Sequence, residues 1–315
     1  MPLKFTVNMP GLTRFPPTVQ PWEAGIGPAE MRRMARRIDE LGFDAINVPE
    51  HIVIPTAMVP IMGAFWPHAL TAMAFIAGAT ERVRINSGVV VLPYHEPVNL
   101  AKQVATLDLL SGGRVMLSIG SGHAEGEFAA LGIPFAERGR RTDEALAVLK
   151  ACWTEDAPSF HGQWSTFSDI AFEPRPVQRP HPPIWVGGNS RNALRRAARH
   201  GDGWCPWLVK NEELPGQLAW LRDQPEFAHR GTRPFDVWVP AASPAVDEHH
   251  RPTDEAGTGR ARLPRGRQAL IDALGALALA GVTWTSAPLR NCATLEEWLE
   301  QLEWLATEVC APLRG

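Results

Sequence analysis

The chain has 315 residues, 45% of them hydrophobic and 21% charged, with a formal net charge of −3. That composition supports a sizeable globular core. It excludes the basic field that nucleic acid or an anionic membrane would need, and no apolar run approaches the roughly 18 residues of a membrane span. Cys152, Cys205, Cys292 and Cys310 are scattered without a CxxC pair, which argues against a zinc site and a disulfide framework and fits a reducing compartment. The opening MPLKFTVNMPG lacks the basic-then-apolar pattern of a secretory signal. The expectation is a soluble, cytoplasmic protein without a metal site.

Short β-rich runs alternate with helical patterns along nearly the whole chain. Strands are predicted over Lys4–Asn8, Ala45–Pro49, Arg84–Val91, Val115–Ile119, Ile184–Val186, Gly203–Cys205, Phe235–Pro240 and Val282–Ser286. Helices are predicted over Pro28–Leu41, His68–Ala79, Pro97–Leu110, Arg138–Trp153, Arg191–His200, Glu212–Phe227, Arg265–Ala280 and Leu295–Val309. In the first helix Met31, Met34, Ala35, Ile38 and Leu41 make one apolar stripe, and Gly42 closes it as a C-cap. Eight strands, each followed by a helix, predict a (β/α)8 TIM barrel occupying residues 1–315 as a single domain, with a doubly wound open sheet as the structural alternative. Thr154–Pro183, with Phe160, Trp164 and six prolines, reads as an ordered insertion after the fourth helix. Ala241–Pro264 is rich in Pro, Gly and charge and reads as a mobile loop before the last helices. His249 and His250 within it lie among acids without regular ligand spacing, so they read as solvated loop.

In such a barrel, chemistry sits where strands end and loops begin. The second strand ends in Pro49-Glu50-His51. A histidine directly after a buried strand suits proton transfer near neutral pH, against the plainer role of a packing or capping loop residue. The fourth strand ends in Gly120-Ser121-Gly122-His123, whose glycines admit a planar ligand close to the backbone. Glu127, four residues on, reads as a cap or brace of the following helix, although Glu50 and Glu127 together leave a paired-carboxylate glycoside hydrolase open. The fifth strand runs into Gly187-Gly188-Asn189-Ser190 before a helix at Arg191. That junction is either an anion site of free N–H groups at a helix N-terminus or an ordinary capped junction. Trp66, His68, Trp164, Trp207 and Trp238 are candidate pocket walls, and the apolar loop Ile52–Phe65 is a candidate lid or subunit contact.

The run from Phe65 to Glu144, together with Glu50-His51 and PPIWVGGNS, resembles the luciferase-like monooxygenase superfamily, in particular its deazaflavin (coenzyme F420)-dependent oxidoreductases. The likeness spans about Lys4 to Pro206. It implies a redox cofactor ring at the barrel mouth, with Glu50 beside it and His51 over its reactive face. It further implies that Val89 and Val90 carry a non-prolyl cis peptide in a bulge behind the ring, between Val89 and Val90. Ser121 and Gly122 would line the ring, Gly187, Gly188, Asn189 and Ser190 would hold the cofactor phosphate, and Arg141 would assist. His123 stands where relatives have a Trp or a catalytic Glu, so it replaces that acid, lines the pocket with Trp66, His68 and Trp207, or does neither. The implied activity is hydride transfer between F420 and a small organic substrate. The alternative is an FMN-dependent monooxygenase that uses O2 and a partner reductase. Relatives of this kind are commonly homodimers.

Overall fold

The computed structural model describes residues 2–207, 209, 211–242 and 263–314. Its strands, in chain order, are β1 (Lys4–Asn8), β2 (Ala45–Val48), β3 (Arg84–Val91), β4 (Val115–Gly120), β5 (Phe160–His161), β6 (Thr166–Phe167), β7 (Ile184–Gly187), β8 (Gly203–Cys205), β9 (Asp236–Val239) and β10 (Trp284–Ser286). All but β5 and β6 close one parallel barrel, each strand pairing with the one before it in sequence and β10 returning to β1. The helices are α1 (Pro28–Glu40), α2 (Val59–Met62), α3 (Ala69–Ala79), α4 (Pro97–Leu110), α5 (Glu125–Ala130), α6 (Arg138–Thr154), α7 (Arg191–His200), α8 (Leu214–Arg222), α9 (Pro225–Ala228), α10 (Arg267–Leu279) and α11 (Leu295–Trp304).

Because successive strand residues face opposite ways, one set packs outward on the helices and the other fills the barrel. Phe5, Val7, Ile46, Val48, Ile85 and Leu117 join Met34, Ile38, Leu100, Val104 and Trp153 in the outer core. Inside the barrel Ala45, Met116, Trp185, Cys205 and Trp284 form a second, smaller cluster. Nearer the C-terminal ends of the strands the interior turns polar. Asn47 donates to Thr6 Oγ1 at 3.0 Å and to Asn8 Oδ1 at 3.1 Å, Asn86 donates to Asn47 Oδ1 at 2.9 Å, and Ser118 donates to Asn86 Oδ1 at 2.9 Å. Buried polar groups need such partners, and together these make a belt linking β1, β2, β3 and β4.

All eight predicted strands fall in the barrel, and the open-sheet alternative is ruled out by its closure. The predicted helix over Glu212–Phe227 is two, because Pro225 starts α9 and Gln224 before it is extended at φ −70°, ψ 136°, as the residue before a proline prefers. The insertion after α6 carries the antiparallel β5–β6 pair. The six-residue α5 is too short to leave a periodic signal in sequence. The cis peptide lies at Gly88–Val89, one bond earlier than expected. The reason for the shift is visible in the ladder, whose register to β4 breaks between Ser87 and Val90, so Val90 is already back in regular pairing. Of the loop expected over Ala241–Pro264, residues 243–262 lie outside the described residues. Among the described residues no helix is long and apolar enough to cross a membrane, and no group of three or more His, Cys, Asp or Glu is arranged to hold a metal ion.

The N-terminal rim of the barrel is tied by Asp39 at the end of α1. Its buried carboxylate accepts from the backbone N–H groups of Glu81, Arg82 and Val83 at 2.9, 3.0 and 2.6 Å. Asp39→Ala leaves these donors unpaired and is expected to lower the unfolding free energy by about 2 to 4 kcal/mol. Urea unfolding measures this, and cofactor binding at the other end of the barrel should not change. A second expectation concerns pH. Burial, then Lys150 and Arg199, pull the His200 imidazole down to about 4 from the ordinary 6.5, with Lys150 Nζ donating to the His200 carbonyl at 2.8 Å. Between those values the unfolded chain binds a proton that the folded chain refuses. Stability from this site is therefore full above pH 6.5 and falls as pH drops toward 4. His200→Asn should flatten the stability curve in that window, read as urea midpoints at successive pH values.

Candidate active site

The C-terminal end of β2 delivers His51 to the barrel mouth, and α5 delivers Glu127 beneath it. His51 Nδ1 lies 2.8 Å from Glu127 Oε2. The same oxygen accepts from Tyr94 O–H at 2.9 Å, and Oε1 accepts from the N–H groups of Ile52 and Val53 at 2.6 and 3.1 Å. Glu127 is fully buried. Burial alone would push its carboxyl up, but hydrogen bonds from His51, Ile52 and Tyr94, with the charge interaction with His51, outweigh it and hold the group below the usual carboxylate range. Glu127 is thus an acceptor at neutral pH, and His51 Nδ1 must be the donor. Burial, and after it the Glu127 carboxylate, push the Tyr94 phenol up, so Tyr94 keeps its proton. The His51 ring meets Trp66 edge-on at 4.7 Å and His123 at 5.8 Å. α5 packs so closely on the loop after β2 that a Cβ on Gly126 would lie 2.7 Å from Pro55 Cγ.

Glu50, the neighbour of His51, points elsewhere. Its Oε2 accepts the Val91 N–H at 2.7 Å, and both carboxylate oxygens lie 3.0 to 3.1 Å from His95 Nε2. It is a buried strut between the ends of β2 and β3. The glycoside-hydrolase reading fails here: the side chains of Glu50 and Glu127 are both fully buried, and both carboxylates are engaged by protein donors.

Between these struts the β3 bulge presents Gly88 and Val89 at the mouth, with Gly88 exposed and Val89 half-buried. Asn47 of the polar belt lies directly below, since a Cβ on Gly88 would sit 3.2 Å from Asn47 Cβ. Val90 is fully buried among core residues. Two glycines at the ends of β4 and β7 are tightly placed: a Cβ on Gly120 would stand 3.0 Å from Val89 Cγ2. One on Gly187 would stand 2.9 Å from the Ile119 carbonyl oxygen and 3.4 Å from Val89 Cγ1. Gly122, at φ 78°, has room for no side chain between the Phe128 ring and Val91.

The Gly187–Ser190 junction is capped and stitched. Ser190 is the N-cap of α7, accepting the Ala193 N–H at 3.2 Å. Asn189 accepts the Trp207 N–H at 2.9 Å and donates to the Trp207 carbonyl, holding the half-exposed Trp207 beside the loop. Trp204 donates to the Gly188 carbonyl at 2.8 Å. Ser121 Oγ, just past β4, lies 3.0 Å from Thr142 Oγ1 and accepts from Arg196 at 3.1 Å. The buried Arg196 also grips Asp143 and the Gly139 carbonyl, locking α7 to α6. Arg141 pairs with Glu137 at 2.9 Å and lies 4.9 Å over the Trp164 ring. His68 is the N-cap of α3, exposed, accepting the Thr71 N–H at 3.4 Å. Trp66 donates to the Gly63 carbonyl at 3.1 Å. Trp164 lies at the insertion, with its backbone held by Glu144 at 2.8 Å, and Trp238 donates to Thr6 inside the barrel at 3.0 Å.

The folded chain therefore brings His51, His123 and Trp66 together, while Ser121, Arg196 and the α6 N-terminal turn form a second cluster. Sequence reasoning passed over Tyr94, His95 and Arg196. Arg196 had a signal: it is a charged residue inside the otherwise apolar face Ala193, Leu194, Ala197, Ala198 of α7. Tyr94, the chain's single tyrosine, ends the turn after β3, but nothing in sequence pairs it with Glu127. Chemically, the mouth offers the His51 imidazole with its hydrogen-bond partner Glu127, a turn of backbone at Gly88–Val89, and a glycine loop opening a helix.

Over 147 residues the chain is 42% identical to the FMNH(2)-dependent dimethylsulfone monooxygenase of Pseudomonas putida, covering 46% of this chain and 38% of that protein. Over 192 residues it is 32% identical to the F420-dependent glucose-6-phosphate dehydrogenase of Amycolatopsis mediterranei (strain U-32), covering 60% of this chain and 56% of that one. The matched stretch thus spans less than two thirds of either relative. The crystal structure of monooxygenase RslO1 from Streptomyces bottropensis shares the fold with a TM-score of 0.78 at 22% identity, over 98% of this chain and 99% of that one. A family model described as luciferase-like monooxygenase matches residues 9–275, and the chain belongs to that family.

Proposed function

We propose that this luciferase-like oxidoreductase transfers a hydride between bound coenzyme F420 and a small organic substrate, with His51 beside the cofactor ring. The observation that carries the reading is the His51–Glu127 contact of 2.8 Å at the barrel mouth. It gives the neutral imidazole an unprotonated Nε2, the atom that takes the substrate proton when a hydride leaves. When bound, the ring supplies the two-electron chemistry, and the protein supplies position and proton handling.

The residues present fit such a group. Exposed backbone at Gly88 and Val89, over Val90 and the Asn47 belt, suits the flat face of a ring, and Ser121 and Gly122 border it. Gly187, Gly188, Asn189 and Ser190 open α7, where free N–H groups and the helix dipole favour a phosphate. Arg141 serves that phosphate if its pairing with Glu137 is exchanged for the ligand. Trp66, His68, Trp207 and His123 form the substrate side, with His123 close enough to His51 to share proton handling. The second reading is an FMN enzyme that activates O2 and draws electrons from a partner reductase. It is favoured by the 42% identity to an FMNH(2)-dependent relative.

A fluorescence titration of the cofactor-free protein with oxidised F420 and, in parallel, FMN separates the two. Micromolar or tighter binding of F420 alone is expected. Preference for FMN would transfer the protein to the oxygen-using branch, and binding of neither would sink both readings. Gly188→Val is expected to abolish binding, because Gly188 sits at φ 108° and a Cβ there would lie 3.1 Å from Ala193 Cβ. His51→Ala should leave affinity within a few-fold and cut turnover by roughly 100-fold or more. Turnover equal to wild type would remove His51 from the chemistry.

A further inference from the structure

Glu127 has no capacity left for a substrate. A carboxylate offers about four lone-pair sites, and Glu127 meets four donors: the Ile52 and Val53 N–H groups on Oε1, and His51 Nδ1 and Tyr94 O–H on Oε2. Its exposure is 0%. Its chemistry therefore reaches the mouth only through its partners. Two of these are backbone groups that set the loop after β2. The third, Tyr94, is oriented by the Phe128 ring at 4.9 Å and holds the carboxylate from the β3 side. The fourth is an imidazole, the one partner with two states to choose between.

A neutral histidine carries its proton on one nitrogen, and the hydrogen bond made by the other nitrogen decides which. Facing an ionised acceptor, His51 must carry the proton on Nδ1, which leaves Nε2 as the basic atom on the far side of the ring. Resting on the placement of His51 beside the cofactor ring, we propose that Glu127, steadied by Tyr94, is a positioning residue that fixes His51 in its Nδ1–H tautomer. The mouth is thereby supplied with a proton acceptor at Nε2. Glu50 is excluded from this role by direction: it spends its oxygens on Val91 N–H and His95.

The tautomer is read directly from long-range proton–nitrogen correlation spectra of the cofactor-free protein, recorded up to mildly alkaline pH. Wild type should show His51 protonated at Nδ1. In E127Q one amide oxygen keeps the two backbone donors, and the amide N–H2 faces His51 and Tyr94. The ring must then accept at Nδ1 and carry its proton on Nε2. With any substrate the wild type turns over, E127Q should lose about 10- to 100-fold in kcat with KM changed by no more than about three-fold. Y94F should keep the Nδ1–H tautomer and lose roughly two- to five-fold, the worth of one hydrogen bond. Nε2–H in the wild type, or a folded E127Q that retains Nδ1–H or full turnover, would overturn the proposal. The wild-type spectrum decides even if E127Q does not fold. Because it is taken without cofactor, failure of both F420 and FMN to bind would overturn the proposed function while leaving the tautomer result standing.

Discussion

Four hydrogen bonds converge on one carboxylate, and the mouth of the barrel takes its shape from that convergence. Removing an ion from water costs several kcal/mol even after relaxation, and an isolated buried glutamate would keep its proton instead. Four donors, each worth about 1.5 to 3 kcal/mol when they meet a charge, reverse that balance for Glu127. Meeting all four requires the loop after β2, the turn after β3 and the helix after β4 to converge on one point. The position of His51, the seating of Ile52 and Val53, and the placement of α5 follow from the same requirement.

Adjacent residues divide the work. Glu50 and His51 leave β2 together yet bind different elements: Glu50 takes His95 and the Val91 N–H, while His51 takes Glu127. Tyr94 and His95, also neighbours, divide likewise: His95 meets Glu50 and Tyr94 meets Glu127. Glu50 thus ties the end of β2 directly to the turn after β3, and Glu127 bridges His51 to Tyr94, beside the bulge that breaks the β3 ladder. Below them Asn47, Asn86 and Ser118 bond one another across β2, β3 and β4, so the Gly88–Val89 turn rests on a hydrogen-bonded polar floor.

The side of the mouth formed by β4 and β7 is built on a different principle. There glycine is required by crowding against Val89, the Ile119 carbonyl and Phe128, and Arg196 ties α6, α7 and Ser121 into one block. One side of the mouth thus carries the His51–Glu127–Tyr94 contacts and the other the glycine junction that opens α7, a division that under the proposed function suits a cofactor with a reactive ring at one end and a charged group at the other. Relatives that use FMNH(2) and relatives that use F420 both match this chain, which accords with a scaffold whose cofactor choice rests on a few contacts.

Much of this was legible in the sequence. Alternation of β-rich runs with amphipathic helices located the eight strands, because strand and helix periodicity are local properties that each segment carries by itself, while closure into a barrel over the open-sheet alternative is a property of the whole sheet. The same local logic located the strand ends and marked His51, Ser121, Gly122 and the Gly187–Ser190 junction as candidates. What only the tertiary structure decided is pairing across distance. Glu127 is 76 residues from His51 and Tyr94 is 33 residues from Glu127, and no spacing rule connects them. Likewise the one-bond shift of the cis peptide to Gly88–Val89 depends on the register between β3 and β4, and the stacking of Arg141 over Trp164 depends on how the insertion folds back. Local pattern selects the elements; a buried charge chooses its partners only once the barrel has brought the strand ends together.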